Sequence, residues 1–417
     1  MKDKTKLIAA GRPHAKGQHA VNVPVERAST ILFPTYDDYL DGMAQIAYGR
    51  LGTPTHRALE EAINVLEGGF ETRLTPSGLQ ACTAAISAFV KAGDHVLITD
   101  SVYDPTRKFC DRFLKRFGVS VTYYDPMIGA DIEDLIEENT RVIYCEAPGS
   151  LTFEVQDIPA LAKVARAHDA KLIVDNTWSA GYFFKPLEHR AHVSIQAVTK
   201  YIVGHSDCLV GSITSCDEET AQKIFYALLA LGTNVSADDA WLALRGIRTL
   251  AARLEQHEAS GMKLARWLAK RPEVETVLHP ALKSCPGHTN WKRDFTGATG
   301  LFSVVMNPLS DKAIRALFNN LRLFGMGFSW GGFESLCIHS KPEKNRTATA
   351  WDADGPLFRF HAGLEDVDDM IADLERGFAH MNAAQADEDL KSAPKAGMKP
   401  AAKAKAKPKK TEKAARP

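Results

Sequence analysis

The sequence lacks any apolar run that approaches the roughly 18 residues needed for a membrane-spanning helix. Its first eleven residues carry several charges but not the apolar core of a secretory signal. We therefore expect a cytoplasmic protein with no membrane partner. The hydrophobic content of 45% and the charged content of 24% are typical of a globular protein with a substantial core.

Cysteine arrangements typical of metal or redox sites are also missing. The seven cysteines are odd in number and scattered, and no two of them have C-x-x-C spacing. This distribution indicates reduced thiols that fill the core. It argues against a zinc site, and we predict no metal.

Positive charge is concentrated at one end of a chain whose formal net charge is zero. From position 391 onward there are ten Lys and Arg residues and a single acid, Glu412. We predict that residues 385–417 form a disordered basic tail, because such a segment cannot bury a core. The tail has no aromatic side chain to stack on bases, so we expect a solvated appendage and no nucleic-acid partner.

From about residue 56 the sequence alternates between helical and strand-like segments. Strands are predicted at residues 95–99, 119–123, 141–145, 171–174, 193–197 and 209–214. The helical segments between them imply crossover connections, and hence an α/β fold with a mostly parallel sheet covered on both faces. We assign residues 56–245 to this larger domain.

Two further regions flank the larger domain. Residues 1–55 hold few periodic segments, and we predict an arm that contacts a neighbouring subunit. Residues 246–384 are predicted to form a smaller α+β domain, reached through one long helical stretch at 238–270. Its strands are expected at residues 274–278, 301–306, 326–330 and 357–361.

Two neighbouring strand-like segments each lead to a charged residue. Asp175 closes the apolar segment at 171–174, and Lys200 follows the next segment 25 residues later. Pyridoxal phosphate requires a lysine for its Schiff base and a carboxylate beside its pyridinium nitrogen. The pair therefore predicts a pyridoxal phosphate enzyme. An Asp that merely caps a helix is the simpler alternative.

Four other residues suit the remaining parts of such a site. Gly78 precedes a helical segment, where backbone amides can approach a phosphate, and Thr199 offers that group a hydroxyl. Tyr103 follows a strand at the sheet edge where ligands bind, and it can stack on the cofactor ring or be a surface residue. Arg359 lies on an apolar strand, where it can hold a substrate carboxylate or pair with an internal acid.

Seven motifs occur in the order in which one enzyme family carries them. They are Tyr48-Gly-Arg50, Thr75-Pro-Ser-Gly78, Tyr103-Asp-Pro105, Asp175-Asn-Thr-Trp178, Thr199-Lys-Tyr201, Ser329-Trp-Gly-Gly332, and Arg359 with Gly363-Leu-Glu365. Over residues 5–382 the sequence resembles the cysteine/methionine-metabolism family of pyridoxal phosphate enzymes.

The resemblance implies an aspartate aminotransferase-type architecture, PLP fold type I, and a homotetramer that is a dimer of dimers. Tyr48 and Arg50 would reach the cofactor of the neighbouring subunit, and Tyr48 also its substrate. Gly78, Leu79 and Thr199 would hold the phosphate within their own subunit. Family members differ in whether they react at the β- or the γ-carbon of an amino-acid substrate.

The resemblance favours the β-carbon, because Ser329 and Trp330 match β-active members and Phe328 replaces the Glu of γ-active ones. The implied activity is β-elimination of L-cystathionine to homocysteine, pyruvate and ammonia, in methionine biosynthesis. The implied catalytic residues are Lys200 and Tyr103, and the implied substrate-binding residues are Arg359, Ser329, Trp330 and Tyr48.

One position departs from the family pattern. Many members have a serine phosphate ligand two positions before the lysine, and this chain has Ala197, so one phosphate hydrogen bond is missing or is made by water. A γ-lyase or γ-synthase, a broader cysteine S-conjugate β-lyase and an amino-acid racemase side activity stay open, since all proceed through the same Cα carbanion.

Overall fold

The computed structural model describes residues 1–13, 19–41 and 47–392. Its larger sheet consists of β1 (Glu71–Thr75), β2 (His95–Thr99), β3 (Ser120–Tyr124), β4 (Thr140–Glu146), β5 (Lys171–Asp175), β6 (Val193–Gln196) and β7 (Gly211–Ser215). The strand order is β1-β7-β6-β5-β4-β2-β3. Strands β6, β5, β4, β2 and β3 run parallel, whereas β7 is antiparallel to β6 and to β1. The predicted mostly parallel sheet is confirmed.

The strand β1 has no counterpart in the sequence prediction. It lies at the edge of the sheet, where only one neighbour pairs with it. Four of its five residues, Glu-Thr-Arg-Leu-Thr, are polar, although three of the five are buried. Such an edge strand lacks the apolar run that marks the central strands.

Helices cover this sheet and connect its strands. They are α3 (Pro54–Glu67), α4 (Gly78–Ser87), α5 (Asp104–Arg112), α6 (Ile158–Ala167) and α7 (Glu218–Ala230). Side-chain caps fix several starting points: the Ser77 hydroxyl accepts from the Gln80 amide, and the Asp157 carboxylate accepts from the Ala160 amide. Throughout the described ranges, no helix has both the length and the apolar character required to cross a membrane.

The predicted helical stretch at 238–270 is two helices, α8 (Ala237–Ile247) and α9 (Leu250–Leu268). The chain leaves helical geometry at Thr249, which has φ −105° and ψ 3°. The break lets Arg253 of α9 donate to the carbonyl of Gly246, near the end of α8, at 2.9 Å. The predicted helical stretch is thus present, and the sequence analysis did not anticipate the break at residues 248–249.

The smaller sheet is wholly antiparallel, with the order β10-β11-β9-β8. Its strands are β8 (Val274–Leu278), β9 (Leu301–Met306), β10 (Leu336–Ser340) and β11 (Leu357–His361). It packs with α9, α11 (Asp311–Phe318) and α12 (Val367–Ser392), whereas Trp291 of α10 (His288–Asp294) packs against the core of the larger domain. The predicted smaller α+β domain is confirmed.

The strand predicted at 326–330 is wrong, because these residues form a loop and the strand lies at β10. The guanidinium of Arg359 donates to the carbonyls of Gly327, Phe328 and Ser329. In a β-strand these carbonyls would instead accept hydrogen bonds from a neighbouring strand. Phe328 is 95% exposed. Its apolar character therefore does not reflect a position in the core.

The start of the predicted disordered tail is also wrong, since α12 keeps residues 385–392 helical. The Gln385 side chain accepts a hydrogen bond from the Ser310 amide at 2.8 Å. Asp387 pairs with Lys312 at 3.3 Å. These contacts tie the end of α12 to α11. The predicted tail from 393 onward lies outside the described residues.

The predicted arm packs on its own chain through α1 (Asp3–Ala9) and the segment that follows it. Leu7 and Val23 are buried in the core cluster that includes α3 and α8. Arg248 donates to the Leu7 carbonyl at 2.8 Å, and the Trp241 indole donates to the Val23 carbonyl at 3.0 Å. The arm also contains α2 (Tyr36–Leu40). Its contact with a neighbouring subunit stays a prediction, as do the boundaries at 55 and 245.

All seven cysteines are free thiols, which confirms the expectation of reduced, core-filling residues. Six are buried, and Cys216 is partly exposed. Burial raises the thiol pKa in every case.

A buried carboxyl group connects the ends of β5 and β6. Glu67, the last residue of α3, is fully buried and accepts hydrogen bonds from Ser194 at 2.7 Å and Gln196 at 2.5 Å. It also accepts one from Asn176 at 3.4 Å. Burial raises the pKa of Glu67 to about 7, although these three donors oppose the shift.

Glu67 should make folding stability depend on pH. The folded state binds this proton more tightly than the unfolded chain, whose carboxyl has an ordinary pKa of 4.5. The stabilisation is thus fully present below about pH 4.5 and is lost as the pH rises through about 7. The free energy of unfolding should fall by up to about 3 kcal/mol over that window. Urea unfolding of the wild type and of Glu67→Gln across this range measures the effect. A pH dependence equal in both proteins would contradict it.

Candidate active site

Lys200 lies in a turn between β6 and β7, and its amine points to the loop that connects α11 to β10. Nζ donates to the Ser329 hydroxyl at 2.8 Å and lies 5.2 Å from the centroid of the Trp330 ring. Burial, followed by the charge of Arg359, lowers the pKa of Lys200 to about 8. An appreciable fraction of the amine is therefore neutral near physiological pH, as a nucleophile or base requires.

Asp175 is the last residue of β5 and is buried. Its Oδ1 accepts from the Thr177 hydroxyl at 2.5 Å and from the Thr177 amide at 3.1 Å. Its Oδ2 accepts from the Cys82 thiol at 3.5 Å. Burial raises the pKa of Asp175 despite these donors. Because the carboxylate caps a turn and not a helix, the simpler alternative for this residue does not apply.

Arg359 lies in the middle of β11 and is only 9% exposed. One guanidinium nitrogen, Nη2, donates to the carbonyls of Ser329 at 3.0 Å and Phe328 at 3.2 Å, with a longer contact of 3.5 Å to Gly327. In the part of the chain that the structure describes, its hydrogen bonds go to carbonyls and none goes to an internal acid. Burial lowers the pKa of Arg359 to about 10.

Tyr103 stands at the start of α5, and its ring is nearly half exposed. Its amide donates to the carboxyl of Glu146, the last residue of β4, at 2.7 Å. Burial, followed by Glu146, raises the pKa of Tyr103. The field of its own chain thus opposes the tyrosinate form, so deprotonation of this residue requires cationic groups from elsewhere.

Gly78 is the first residue of α4 and touches the turn that carries Lys200. A Cβ at position 78 would lie 2.5 Å from the Cβ of Ala197 and 2.9 Å from its Cα. Glycine is therefore required for this approach, and the small Ala197 side chain forms the other side of the contact. The amides of Gly78 and Leu79 occupy the first helical positions, where no carbonyl of the helix can accept from them.

The Thr199 hydroxyl, which the sequence analysis offered to a phosphate, already makes hydrogen bonds within its own chain. Its hydroxyl donates to the Val210 carbonyl at 3.1 Å and accepts from the Val210 amide at 3.0 Å. A hydrogen bond from this hydroxyl to a phosphate would replace the bond to the carbonyl. Its assignment as a phosphate ligand stays a prediction.

Tyr48 and Arg50 are not brought to the Lys200 amine in their own chain. Arg50 donates weakly to the Leu229 carbonyl at 3.4 Å and lines a surface groove. Tyr48 is about half exposed and forms an isolated backbone bridge with Thr30. The other residues of that groove do not include any further predicted site residue.

The model of one protein family matches residues 4–379, and its description is "Cys/Met metabolism PLP-dependent enzyme". The chain belongs to this family. The resemblance inferred from the seven motifs is thereby confirmed, and so is pyridoxal phosphate as the cofactor.

Relatives of this Cys/Met metabolism enzyme extend over nearly its whole length. A protein of Rhizobium johnstonii named putative cystathionine beta-lyase is 47% identical, over 92% of this chain and 100% of its own. Cystathionine beta-lyase of Salmonella typhimurium is 44% identical, over 90% of this chain and 98% of its own. The crystal structure of cystathionine gamma-lyase from Lactobacillus plantarum complexed with L-serine has a TM-score of 0.84 and 31% identity, with coverage of 92% and 100%. The predicted aspartate aminotransferase-type architecture is confirmed.

The residues present fit pyridoxal phosphate. Lys200 supplies a partly buried amine whose pKa is lowered, and Asp175 supplies a buried carboxylate held by neutral donors. The first amides of α4 are available for a phosphate, at the contact between Gly78 and Ala197. The buried hydroxyl of Tyr144 lies beside Asp175 and, like the other donors there, opposes the rise that burial causes in the pKa of Asp175.

The sequence prediction missed two groups beside Asp175. Glu146 is paired in register with Asp175 at the ends of β4 and β5. Burial and then Asp175 raise the pKa of Glu146 well above its usual range. Cys82, which the sequence placed in the core, donates to Asp175. A signal existed for Glu146, because it also closes an apolar strand, whereas nothing in the local sequence distinguishes Cys82.

Two buried basic residues that support the Lys200 turn were also missed. Arg253 donates to the carbonyls of Tyr201 at 2.6 Å and Ile202 at 3.1 Å. His361 accepts from the Gly331 amide at 3.1 Å through Nε2, while its Nδ1 lies 3.0 Å from the Glu334 carbonyl. This pairing requires the neutral form with the proton on Nδ1, and burial lowers the pKa of His361 accordingly. Neither residue could be assigned without knowledge of the folded loops.

Gly331→Ala should disturb the contact between the Ser329 loop and Lys200. Gly331 has φ +86°, and an added Cβ would lie 2.7 Å from the Tyr201 nitrogen and 2.9 Å from the Lys200 carbonyl carbon. We expect a loss of roughly 2–4 kcal/mol in unfolding free energy, from both clash and backbone strain. Urea unfolding and the visible absorption of bound cofactor measure it.

Gly232→Ala is the matched control for that experiment. Gly232 has φ +64°, and an added Cβ there would meet no atom within 4 Å. Gly232→Ala should lower the unfolding free energy by only about 1 kcal/mol, which is the backbone strain alone, and should leave the cofactor absorption unchanged. Equal effects of the two substitutions would show that the loop does not press on the Lys200 turn.

Proposed function

We propose that this enzyme cleaves L-cystathionine by β-elimination to homocysteine, pyruvate and ammonia, a step of methionine biosynthesis. The observation that carries the proposal is the hydrogen bond between the Lys200 amine and Ser329, beside Trp330 and with Arg359 directly behind the loop. Ser329 and Trp330 are residues whose identities, through the family resemblance, favour β-carbon chemistry. The names of the two relatives from Rhizobium and Salmonella support the same substrate.

Substrate binding is assigned first to Arg359. Its three carbonyl contacts all use Nη2, so Nε and Nη1 remain for the α-carboxylate of an amino acid. Ser329 and Trp330 stand between this fork and the Lys200 amine, and they line the position of the substrate's Cα and Cβ. Tyr48 of a neighbouring subunit completes the substrate contacts.

Proton transfer is assigned to Lys200. Pyridoxal phosphate, when bound, supplies the electron sink that makes a Cα proton removable, and Asp175 keeps its ring nitrogen protonated. Lys200 Nζ, neutral in part because of its lowered pKa, takes the Cα proton and returns one to the departing thiolate. Ser329 accepts a hydrogen bond from the amine and so orients it. Tyr103 receives the proton of the substrate ammonium once cationic groups lower its pKa.

The γ-lyase alternative is favoured by one observation, the close similarity to the structure from Lactobacillus plantarum. A γ-elimination requires a further proton removal at Cβ. At the rim of this site position 328 holds Phe, which is exposed and has no group that can accept a proton. We therefore place γ-chemistry and racemisation second to β-elimination, while cleavage of other cysteine S-conjugates stays compatible with the site.

The assembly belongs to the same proposal. We assign Tyr48 and Arg50 to the cofactor of a neighbouring subunit within a homotetramer, in the cytoplasm. Their distance from functional groups of their own chain supports this assignment, because neither contacts Lys200 or Asp175. The basic tail is assigned no nucleic-acid partner.

The deciding experiment is a product analysis. Purified protein with pyridoxal phosphate and L-cystathionine should yield pyruvate and homocysteine, identified by mass spectrometry. 2-Oxobutyrate and cysteine would overturn the β-elimination assignment and keep the family. Lys200→Ala should show no turnover and no visible absorption of lysine-bound cofactor, and full activity in that variant would refute the role of Lys200.

Arg359→Lys tests the carboxylate site. An ammonium keeps the charge but cannot offer two parallel N–H donors, so we expect KM to rise roughly tenfold or more, with a smaller change in kcat. The visible absorption of bound cofactor is the control and should not change. An unchanged KM, or a loss confined to kcat, would count against this assignment.

A further inference from the structure

We propose that Asp100 is a positioning residue that clamps the segment 345–356, which we call the strap, onto the end of β2. The strap runs from the short helix Pro342–Lys344 directly into β11, which carries Arg359. Asp100 directly follows β2 and stands three residues before Tyr103. The clamp therefore sets the spacing between the two groups that flank the substrate, and in this it rests on the proposed function.

The carboxylate of Asp100 collects donors from three consecutive strap residues. Their backbone amides donate to it from Thr347 at 3.0 Å, Ala348 at 3.0 Å and Thr349 at 2.8 Å. The Thr349 hydroxyl adds a fourth donor at 2.9 Å, and the Thr347 hydroxyl adds a weaker one at 3.4 Å. Because the Asp100 side chain is fully buried, these bonds replace the water that a charged carboxylate would otherwise hold.

Arg107 closes the remaining side of the same carboxylate. Its guanidinium forms a short ion pair with Asp100 Oδ1, donates to the Thr347 hydroxyl at 3.2 Å and lies 3.5 Å from the centroid of the Tyr123 ring. Burial alone would raise the pKa of Asp100, but the amides of Thr347 and Thr349, the Thr349 hydroxyl and the charge of Arg107 together hold that pKa below its usual value. The carboxylate is thus charged and fully engaged at neutral pH.

A second anchor holds the beginning of the strap to the loop after β4. The guanidinium of Arg346 pairs with the buried carboxylate of Glu154 and donates to the Thr152 hydroxyl at 2.5 Å. Trp351 packs against the apolar cluster that contains Leu278. The strap therefore bridges the large sheet and the small sheet through side chains whose partners belong to the protein itself.

The bridge joins the two halves of the site by short lengths of chain. On the large-sheet side, Tyr103 follows Asp100 by three positions. On the small-sheet side, Arg359, which also holds the Ser329 loop, follows Thr349 by ten positions. Loosening the clamp lets the substrate carboxylate site shift relative to the ring of Tyr103. Shifts of about 1 Å in such geometry are enough to cost up to about 100-fold in efficiency.

The test compares two ways of loosening the clamp. Asp100→Asn removes the charge and turns an NH2 group toward donors. The double variant Thr347→Val with Thr349→Val removes only the two strap hydroxyls and leaves the large-sheet side unchanged. Ser310→Ala is the matched control, because it removes a hydroxyl acceptor at the start of α11 in the same small domain, far from the strap in sequence. Each variant is measured for KM and kcat with L-cystathionine, for visible cofactor absorption and for trypsin cleavage after Lys344 or Arg346.

We expect both clamp variants to raise KM roughly tenfold with a smaller change in kcat, to keep the cofactor absorption, and to be cleaved faster in the strap. Ser310→Ala should keep the wild-type KM at comparable loss of stability. Clamp variants with a wild-type KM, or a control with an equal rise in KM, would overturn the proposal. If the wild type does not cleave L-cystathionine, the proposed function fails, while unchanged cleavage of the strap would separately refute the clamp.

Discussion

The burial of ionisable groups at the carboxyl ends of neighbouring parallel strands is the constraint on which the rest of this structure depends. Glu146, Asp175 and Lys200 all lie at or just beyond such ends, away from bulk water. A buried charge is tolerated only with donors or acceptors in place, so the surrounding loops are shaped to provide them. The turn at Thr177 donates hydrogen bonds to Asp175, and the loop at Ser329 accepts one from Lys200. Because the Ser329 loop belongs to the smaller domain, this contact places the small sheet at the edge of the large one.

The local sequence was sufficient to predict the buried strands that recur along the chain. The strands β2, β5, β8, β9 and β11 were located to within one residue, and in all of them except β8 nearly complete burial leaves a clear pattern. Asp175 and Lys200 followed from their places after two such strands. The predictions failed where a contact with a residue distant in sequence determines the local structure. Arg253 binds across the break between α8 and α9, and Arg359 holds the loop at 327–329. The start of α11 binds the last turns of α12. Cys82 was overlooked because its role appears only when α4 meets β5, whereas Glu146 closes an apolar strand and could have been found from the sequence.

Arginine has an unusual part in this fold. Both Arg253 and Arg359 are buried and bind main-chain carbonyls, so each fixes an irregular loop that has no sheet or helix of its own. A guanidinium suits this purpose, because its several N–H groups diverge in one plane and its charge persists even when burial lowers its pKa. Arg253 therefore supports the turn after Lys200, and Arg359 supports the loop of Ser329. Both contacts use main-chain carbonyls, so the side chains of the turn and the loop stay available for ligands.

The shielding of the cysteines gives this enzyme a built-in chemical reporter. A thiol reacts with alkylating reagents as its thiolate, and burial both blocks access and keeps the thiolate scarce. In the native fold only Cys216 has partial access to solvent. Alkylation of the other six would thus proceed through opening of the surrounding core, and mass shifts at individual cysteines would time the opening of each region separately. Cys337 of β10 would report on the small sheet, and Cys145 of β4 on the large one.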